Sequence, residues 1–332
     1  EKLGIPDRKS VGVYIGIPFC PTRCSYCSFT SNQKPDSEIL RYLEALKKEI
    51  TFVGKNIAQK GLFIESVYIG GGTPTTLNEE ELKDLLSHIF TSFDLSECQE
   101  FTVEAGRPDT ITKGKLDIIK SFGIKRISIN PQTMKDDTLK LIGRNHTSEE
   151  ILKAFSYAKE AGIEIINCDL ITGLPEETLD DFKNTLDKVF ELDPMNITVH
   201  TLAIKRASRL IEEDRDYSYR EGQKVKDMLE FGNEELRKHG FRPYYLYRQK
   251  HMTGSFENVG WCKEDTLSIY NIRIMEERQH ILALGAGGIS KIYFPDENRL
   301  ERVPNVSNYE VYIDRLDEML KRKQDNFFDL LK

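Results

Sequence analysis

Six short β-rich runs recur between Val11 and Leu202, with amphipathic helical stretches between them, and this alternation leaves few folds open to the chain. The runs are Val11 to Ile17, Ser66 to Ile69, Phe101 to Ala105, Arg126 to Asn130, Ile163 to Leu170 and Ile197 to Leu202. Helices are expected at about Ser37 to Gln59, Glu79 to Phe90, Lys113 to Phe122, Ser148 to Ala161 and Leu179 to Glu191. Asn78 before three glutamates, and Thr147 or Ser148 before Glu149-Glu150, supply N-caps with favourable first-turn charge. Gly123 and Gly162 stop helices just before strands. The pattern is that of parallel βαβ units.

A parallel sheet of this kind is either doubly wound or curled into a barrel. A barrel gathers chemistry at the carboxyl ends of many strands, whereas a doubly wound sheet gathers it at one switch point. Here nearly every strand ends in polar or glycine-rich sequence, so the chain reads as α/β, a partial (β/α)6 TIM-like barrel. After Leu202 the pattern changes. A charged stretch, Lys205 to Arg220, leads into a helix at Glu221 to His239 and an aromatic, basic segment, Phe241 to His251. A β-rich region around Ile269 to Ile274, a glycine-rich loop from Leu284 to Ile289 between two β-like runs, and a helix near Asn308 to Lys321 follow. Residues 1–215 are expected to form the barrel, and 216–332 a smaller α+β part over its open side.

The chain has 332 residues, 39% of them hydrophobic, enough for a sizeable core. It has no apolar run near the roughly 18 residues of a membrane span and no signal peptide before Val11. Six cysteines without a regular framework suit a reducing compartment, so a soluble, cytoplasmic protein is expected. The chain opens on Glu1 rather than Met, consistent with a preceding N-terminal region. A net charge of -7 argues against a general nucleic-acid surface.

Three of the six cysteines, Cys20, Cys24 and Cys27, fall within eight residues directly after the first strand. Thiolates at this spacing suit soft metal. A closed zinc site needs a fourth ligand, and no further Cys or His appears before His88. A zinc site completed by a distant residue and buried free thiols are the alternatives. An iron–sulfur cluster usually takes four cysteines, so a cluster on three leaves one iron open to a cofactor or substrate atom.

The second strand runs into Gly70-Gly71-Gly72-Thr73-Pro74-Thr75, where glycines let backbone groups approach a ligand and the proline fixes the exit. This is neither a Walker loop nor a dinucleotide fingerprint. Glu104 ends strand three, Asn130 and Gln132 follow strand four, Asp169 closes strand five and Arg144 lies in a loop beyond. A carboxylate suits an ammonium or ribose hydroxyls, and arginine suits a carboxylate.

Cys-x3-Cys-x2-Cys with Tyr26 before its last cysteine, followed one unit later by the Gly-Gly-Gly-Thr-Pro-Thr turn, resembles the radical S-adenosylmethionine superfamily. Tyr14 to Cys20, Asp169 to Pro175 and the Gly285 to Ser290 loop are similar to oxygen-independent coproporphyrinogen III oxidases. Cys20 to Asn32, Tyr247 to Lys250, Glu257 to Cys262 and Arg302 to Asn305 resemble the HemZ-type branch most closely.

The resemblance implies a four-iron, four-sulfur cluster on Cys20, Cys24 and Cys27, with S-adenosylmethionine chelating the open iron. It implies contacts to S-adenosylmethionine from Tyr14, Tyr26, Gly71, Gly72, Thr73, Glu104, Gln132, Arg144 and Asp169, and more loosely from Thr201 and Ile289. Whether one or two such molecules bind is left open. The activity implied is radical decarboxylation of two coproporphyrinogen III propionates to vinyl groups, giving protoporphyrinogen IX. Its partners are a tetrapyrrole and a low-potential electron donor. Lys205, Arg206, Arg209, Arg248, Lys250 and His251 are candidate cations for the substrate carboxylates, each charge-assisted contact contributing roughly 1.5 to 3 kcal/mol. Tyr244, Tyr245 and Tyr247 are candidates to flank a tetrapyrrole, while Cys168 and Cys262 read as ordinary thiols. The chain departs from the decarboxylase pattern at Gly16, where that pattern has histidine, and at Phe29, where it has a further cysteine. A haem-binding delivery protein that keeps the cluster and a tetrapyrrole methyltransferase are therefore the alternatives.

Overall fold

The computed structural model describes residues 3–27, 32–33, 36–202, 221–248 and 256–331. Its elements run β1 (Ser10–Ile17), α1 (Asp36–Gln59), β2 (Phe63–Gly71), α2 (Glu79–Ser92), β3 (Glu100–Glu104), α3 (Lys113–Ser121), β4 (Arg126–Ser128) and α4 (Asp136–Leu141). Next come α5 (Ser148–Glu160), β5 (Ile165–Thr172), α6 (Leu179–Glu191), β6 (Asn196–Thr201), α7 (Gly222–Lys238), β7 (Arg242–Tyr247) and β8 (Asn258–Cys262). The last are α8 (Ile269–Glu276), β9 (His280–Leu284), β10 (Ile289–Phe294), β11 (Arg299–Pro304), α9 (Tyr309–Asp314) and α10 (Leu316–Asn326).

Strands β1 to β6 pair in parallel, in chain order. They form the middle of one eleven-stranded sheet, β11-β10-β9-β1-β2-β3-β4-β5-β6-β8-β7, which does not close on itself. This is the expected partial barrel. The residues after 202 lend strands to both of its edges: β9 lies parallel to β1, and β8 antiparallel to β6.

Strand alternation separates the core from the barrel interior. Val11, Val13, Ile15 and Ile17 of β1 are buried in the same core as Ile39, Leu43, Leu46 and Ile50 of α1. The intervening Gly12, Tyr14 and Gly16 take the opposite face. Capping boxes at Asn78, Thr147 and Thr178 start α2, α5 and α6, each cap worth about 1 kcal/mol. Gly123 and Gly162 end α3 and α5 with φ of +75° and +76°.

Three expectations need correction. The stretch expected as β-rich, Ile269 to Ile274, is the helix α8. Its alternating apolar residues imitate a strand, but Ser268 caps it by accepting from the Asn271 N–H at 3.2 Å. The Glu100 carboxylate accepts from Ser268 Oγ at 2.9 Å and the Ile269 N–H at 2.7 Å, placing negative charge at the helix's positive end. The single helix expected near Asn308 to Lys321 is two, divided at Arg315. Strand β4 stops at Ser128 rather than Asn130, since Pro131 has no N–H to give and Gln132 turns to φ +69°.

Two buried polar networks brace the barrel. At the amino ends of the parallel strands, Arg126 donates to Asn196 Oδ1 at 2.9 Å and Thr266 O at 2.8 Å, and Arg273 pairs with Glu65 at 2.9 Å. Behind the 285–288 loop, Glu49 and Lys323 are both fully buried and pair at 2.7 Å. Tyr312 Oη, Asn305 Nδ2 and the Gly285 N–H also donate to Glu49, at 2.5, 2.9 and 2.7 Å. Among the described residues no helix is long and apolar enough to cross a membrane.

Candidate active site

At the carboxyl ends of the parallel strands a cavity of about 600 Å³ opens into the barrel. Its first wall is the cysteine loop. Where β1 runs out, the Gly72 N–H donates to Ile17 O at 2.7 Å and the Thr73 N–H to Phe19 O at 2.8 Å. The Cys20 N–H reaches Asn32 O at 3.1 Å, Ser25 N–H reaches Ile142 O at 3.0 Å, and Cys27 N–H closes a turn on Cys24 O at 3.2 Å. The glycine turn must be glycine. Gly71 has φ +119°, and a Cβ on Gly72 would stand 2.5 Å from Phe19 O and 2.9 Å from Cys20 Sγ. Backbone from β2 is thereby pressed against the first thiol, which also lies 3.4 Å from Thr73 Oγ1.

Cys20, Cys24 and Cys27 all line the cavity. Burial pushes the Cys20 thiol up to about 11, so a thiolate there needs a cation such as a metal beside it. Among the described residues no three His, Cys, Asp or Glu side chains are grouped to hold a single metal ion. In an iron–sulfur cluster each cysteine takes a different iron, so the sulfurs need only surround a common space.

The polar residues expected at strand ends arrive in the same cavity. Tyr14, Tyr26, Gly71, Gly72, Thr73, Glu104, Gln132, Arg144, Asp169, Thr201 and Ile289 line it without exception. Arg144 is buried, its Nη1 donating to Asn130 O at 2.6 Å. Its Nε, together with Gln132 Oε1 and Thr201 Oγ1, is buried without a hydrogen-bond partner among the described residues. Three buried polar atoms without protein partners in one cavity are satisfied only by water or a polar ligand. Burial, reinforced by the charge of Asp169, pushes the Glu104 carboxyl up to about 8. Burial works the same way on Asp169, but His200 and Asn167 override it and hold that carboxyl below its ordinary value. Asn167 Nδ2 donates to Asp169 Oδ1 at 2.8 Å, and His200 Nε2 stands 3.6 Å from Oδ2. Neighbouring carboxyls held at different pKa values are one mark of a functional site.

Sequence reasoning missed several cavity residues. Tyr68 and Tyr270 stack at 4.9 Å between ring centroids, with Tyr14 beside them. The signal for Tyr68 was present, because Ser66, Tyr68 and Gly70 alternate with buried Val67 and Ile69. His200, whose Nδ1 meets Tyr247 Oη at 3.1 Å, and Arg107 were also missed. Of the three candidate tyrosines, Tyr245 and Tyr247 line the cavity and Tyr244 does not. Arg248 does not line it either, and pairs with Glu257 at 3.1 Å on an exposed surface. Lys205, Arg206, Arg209, Lys250, His251 and Phe29 lie outside the described residues.

A barrel of parallel βα units that brings a three-cysteine loop and a glycine-rich turn to one cavity defines a class. The chain belongs to the radical SAM superfamily, whose sequence model matches residues 14–189. Within that class it is 39% identical over 330 residues to the oxygen-independent coproporphyrinogen-III oxidase-like protein HemZ of Bacillus subtilis, covering 97% of this chain and 66% of that protein. It is also 34% identical over 237 residues to the heme chaperone HemW of the same organism, covering 70% of this chain and 62% of HemW. The chain thus spans just under two thirds of either relative. Its fold is that of coproporphyrinogen III oxidase HemN from Escherichia coli, a radical SAM enzyme, with a TM-score of 0.73 at 22% identity over 95% of this chain and 70% of that one.

Proposed function

We propose that Cys20, Cys24 and Cys27 hold a four-iron, four-sulfur cluster, that S-adenosylmethionine binds beside it, and that the chain decarboxylates coproporphyrinogen III to protoporphyrinogen IX without oxygen. The observation that carries this reading is that all three thiols and all eleven cofactor-contact candidates line a single cavity. The donor set fits. The unpartnered Nε of Arg144 can take a carboxylate, Glu104 an ammonium, and Asp169 with Asn167 a pair of ribose hydroxyls. Backbone at Gly71 to Thr73 can lie along the methionyl chain because no Cβ intervenes at two of its positions. When bound, the cluster supplies one electron for reductive cleavage of S-adenosylmethionine.

The residues of the chain position and shield. Stacked Tyr14, Tyr68 and Tyr270, and Tyr245 stacked 6.2 Å from Tyr247 near His200, offer aromatic surfaces that suit the pyrrole rings of a tetrapyrrole. Each propionate would give up a hydrogen atom to the radical that S-adenosylmethionine cleavage supplies, then carbon dioxide, with one further electron passing to an external one-electron acceptor, as its vinyl group forms.

A second reading, a haem-delivery protein that keeps the cluster, is favoured by the likeness to HemW. The space at Gly16 agrees with it: a Cβ there meets Tyr14 Cε1 at 3.3 Å and Leu284 O at 3.4 Å, leaving little room for a histidine. Anaerobic incubation with dithionite, S-adenosylmethionine and coproporphyrinogen III, read by mass spectrometry, separates the two. Loss of two carboxyl groups supports the enzyme. Stable haem binding without turnover overturns it, and a methylated tetrapyrrole assigns the chain to methyl transfer.

A further inference from the structure

Arg107 has no part in the assignments above, yet it is only 3% exposed and reaches the cysteine loop. Its Nη1 donates to Thr22 Oγ1 at 2.7 Å, lies 3.3 Å from Thr22 O and approaches Cys24 Sγ at 3.9 Å. The other edge of the guanidinium is clamped, with Nε and Nη2 donating to Asp109 Oδ1 and Oδ2 at 3.0 and 2.9 Å. Asp109 is backed in turn by His146, whose Nδ1 stands 3.6 Å from Oδ1. Burial works against the Asp109 charge, but His146 and Arg107 hold its carboxyl well below the usual range. A bidentate clamp of this kind fixes the guanidinium plane and aims one N–H edge at the loop.

We propose that Arg107 is a positioning residue that also tunes the iron–sulfur centre, holding the loop through Thr22 and raising the cluster's reduction potential through its contact with the Cys24 sulfur. The inference rests on the cluster reading. A cluster that accepts one electron gains one negative charge. A cation and an N–H donor beside a ligand sulfur stabilise that reduced state more than the oxidised one. Arg144 also lies beside Cys24, but it is assigned to S-adenosylmethionine, so its replacement would mix two effects. Arg107 separates them.

The test is a redox titration of the reconstituted chain without S-adenosylmethionine, following the reduced-cluster EPR signal. Arg107→Gln is expected to make reduction about tenfold less favourable, a shift of about 59 mV to more negative potential for one electron. Asp109→Asn strips the compensating anion from Arg107 and is expected to shift the potential the other way, by less. Thr22→Val loosens the loop but leaves the charge, and is expected to keep the wild-type potential. A purely structural role predicts instead that Thr22→Val behaves like Arg107→Gln. Unchanged potential in Arg107→Gln at matched iron content overturns the proposal. If that variant assembles no cluster, Asp109→Asn decides: a positive shift supports the proposal, and no shift or a negative one overturns it. A wild-type chain that holds no iron–sulfur centre overturns the cluster reading itself and is recognised by the missing signal.

Discussion

Behind the 285–288 loop, Glu49 has every need met: a lysine at 2.7 Å, a tyrosine hydroxyl, an asparagine amide and a backbone N–H. Inside the cavity, Glu104 has a second carboxylate as its neighbour and a pKa pushed up to about 8 by burial and by Asp169. For Glu49 burial acts in the same direction, but Lys323 and the donors around it hold the carboxyl below its ordinary value. Both acids sit in the same barrel. One is finished by the protein, and the other faces an open cavity. The finished one serves the unfinished one, because the loop that Glu49 and Asn305 grip through Gly285 supplies Gly287, Gly288 and Ile289 to the cavity wall.

The contrast breaks most visibly if the finished site is undone. Lys323→Met strands the Glu49 charge and is expected to cost about 3 to 5 kcal/mol, measured by urea unfolding, with Glu49→Gln added to Lys323→Met recovering part of the loss. Glu104→Gln should leave folding intact and weaken S-adenosylmethionine binding by about 10- to 100-fold, the loss of one charge-assisted contact of roughly 1.5 to 3 kcal/mol. Equilibrium dialysis with the apo and reconstituted chains reads it, and undiminished affinity would remove Glu104 from the ligand set.

The two acids also predict opposite pH slopes. With a folded pKa of about 8 against an ordinary 4.5, Glu104 keeps a proton that the unfolded chain has lost. Its contribution is fully present below pH 4.5 and fades as pH rises towards 8. Glu49, lowered on folding, contributes above its ordinary value and loses that contribution as pH falls. Urea stability of wild type minus Glu104→Gln should therefore decline between pH 5 and 8, and a flat difference would contradict the raised pKa. The smallest effect belongs to Arg248→Ala. Its exposed pair with Glu257 is worth no more than about 1 kcal/mol, and S-adenosylmethionine affinity should not change.

Features carried by neighbours in sequence were legible. The cysteine spacing, the glycine turn and the acid or amide at the ends of the third, fourth and fifth strands could be read locally, and the barrel follows from βα alternation. Contacts set by distant segments could not. Tyr270 joins Tyr68 only because α8, misread as strand from its alternating isoleucines, packs into the barrel. Arg107 looks like an ordinary loop arginine until the fold brings Thr22 and Cys24 to it. The Glu49 knot joins residues from α1, the 285–288 loop and α10, a convergence that no window of sequence displays.

The order of strands in the sheet sets an order in time. Strand β1, which launches the cysteine loop, has β2 on one side and β9 on the other, with Val11 opposite His280 and Ile15 opposite Leu284. A ribosome making this chain therefore releases the three thiols some 260 residues before the strand that covers β1's free edge. Until then β1 carries an unpaired edge, open to mispairing. The cavity wall beside the cysteine loop is therefore complete only once the chain has been made through Leu284 and the loop that follows it.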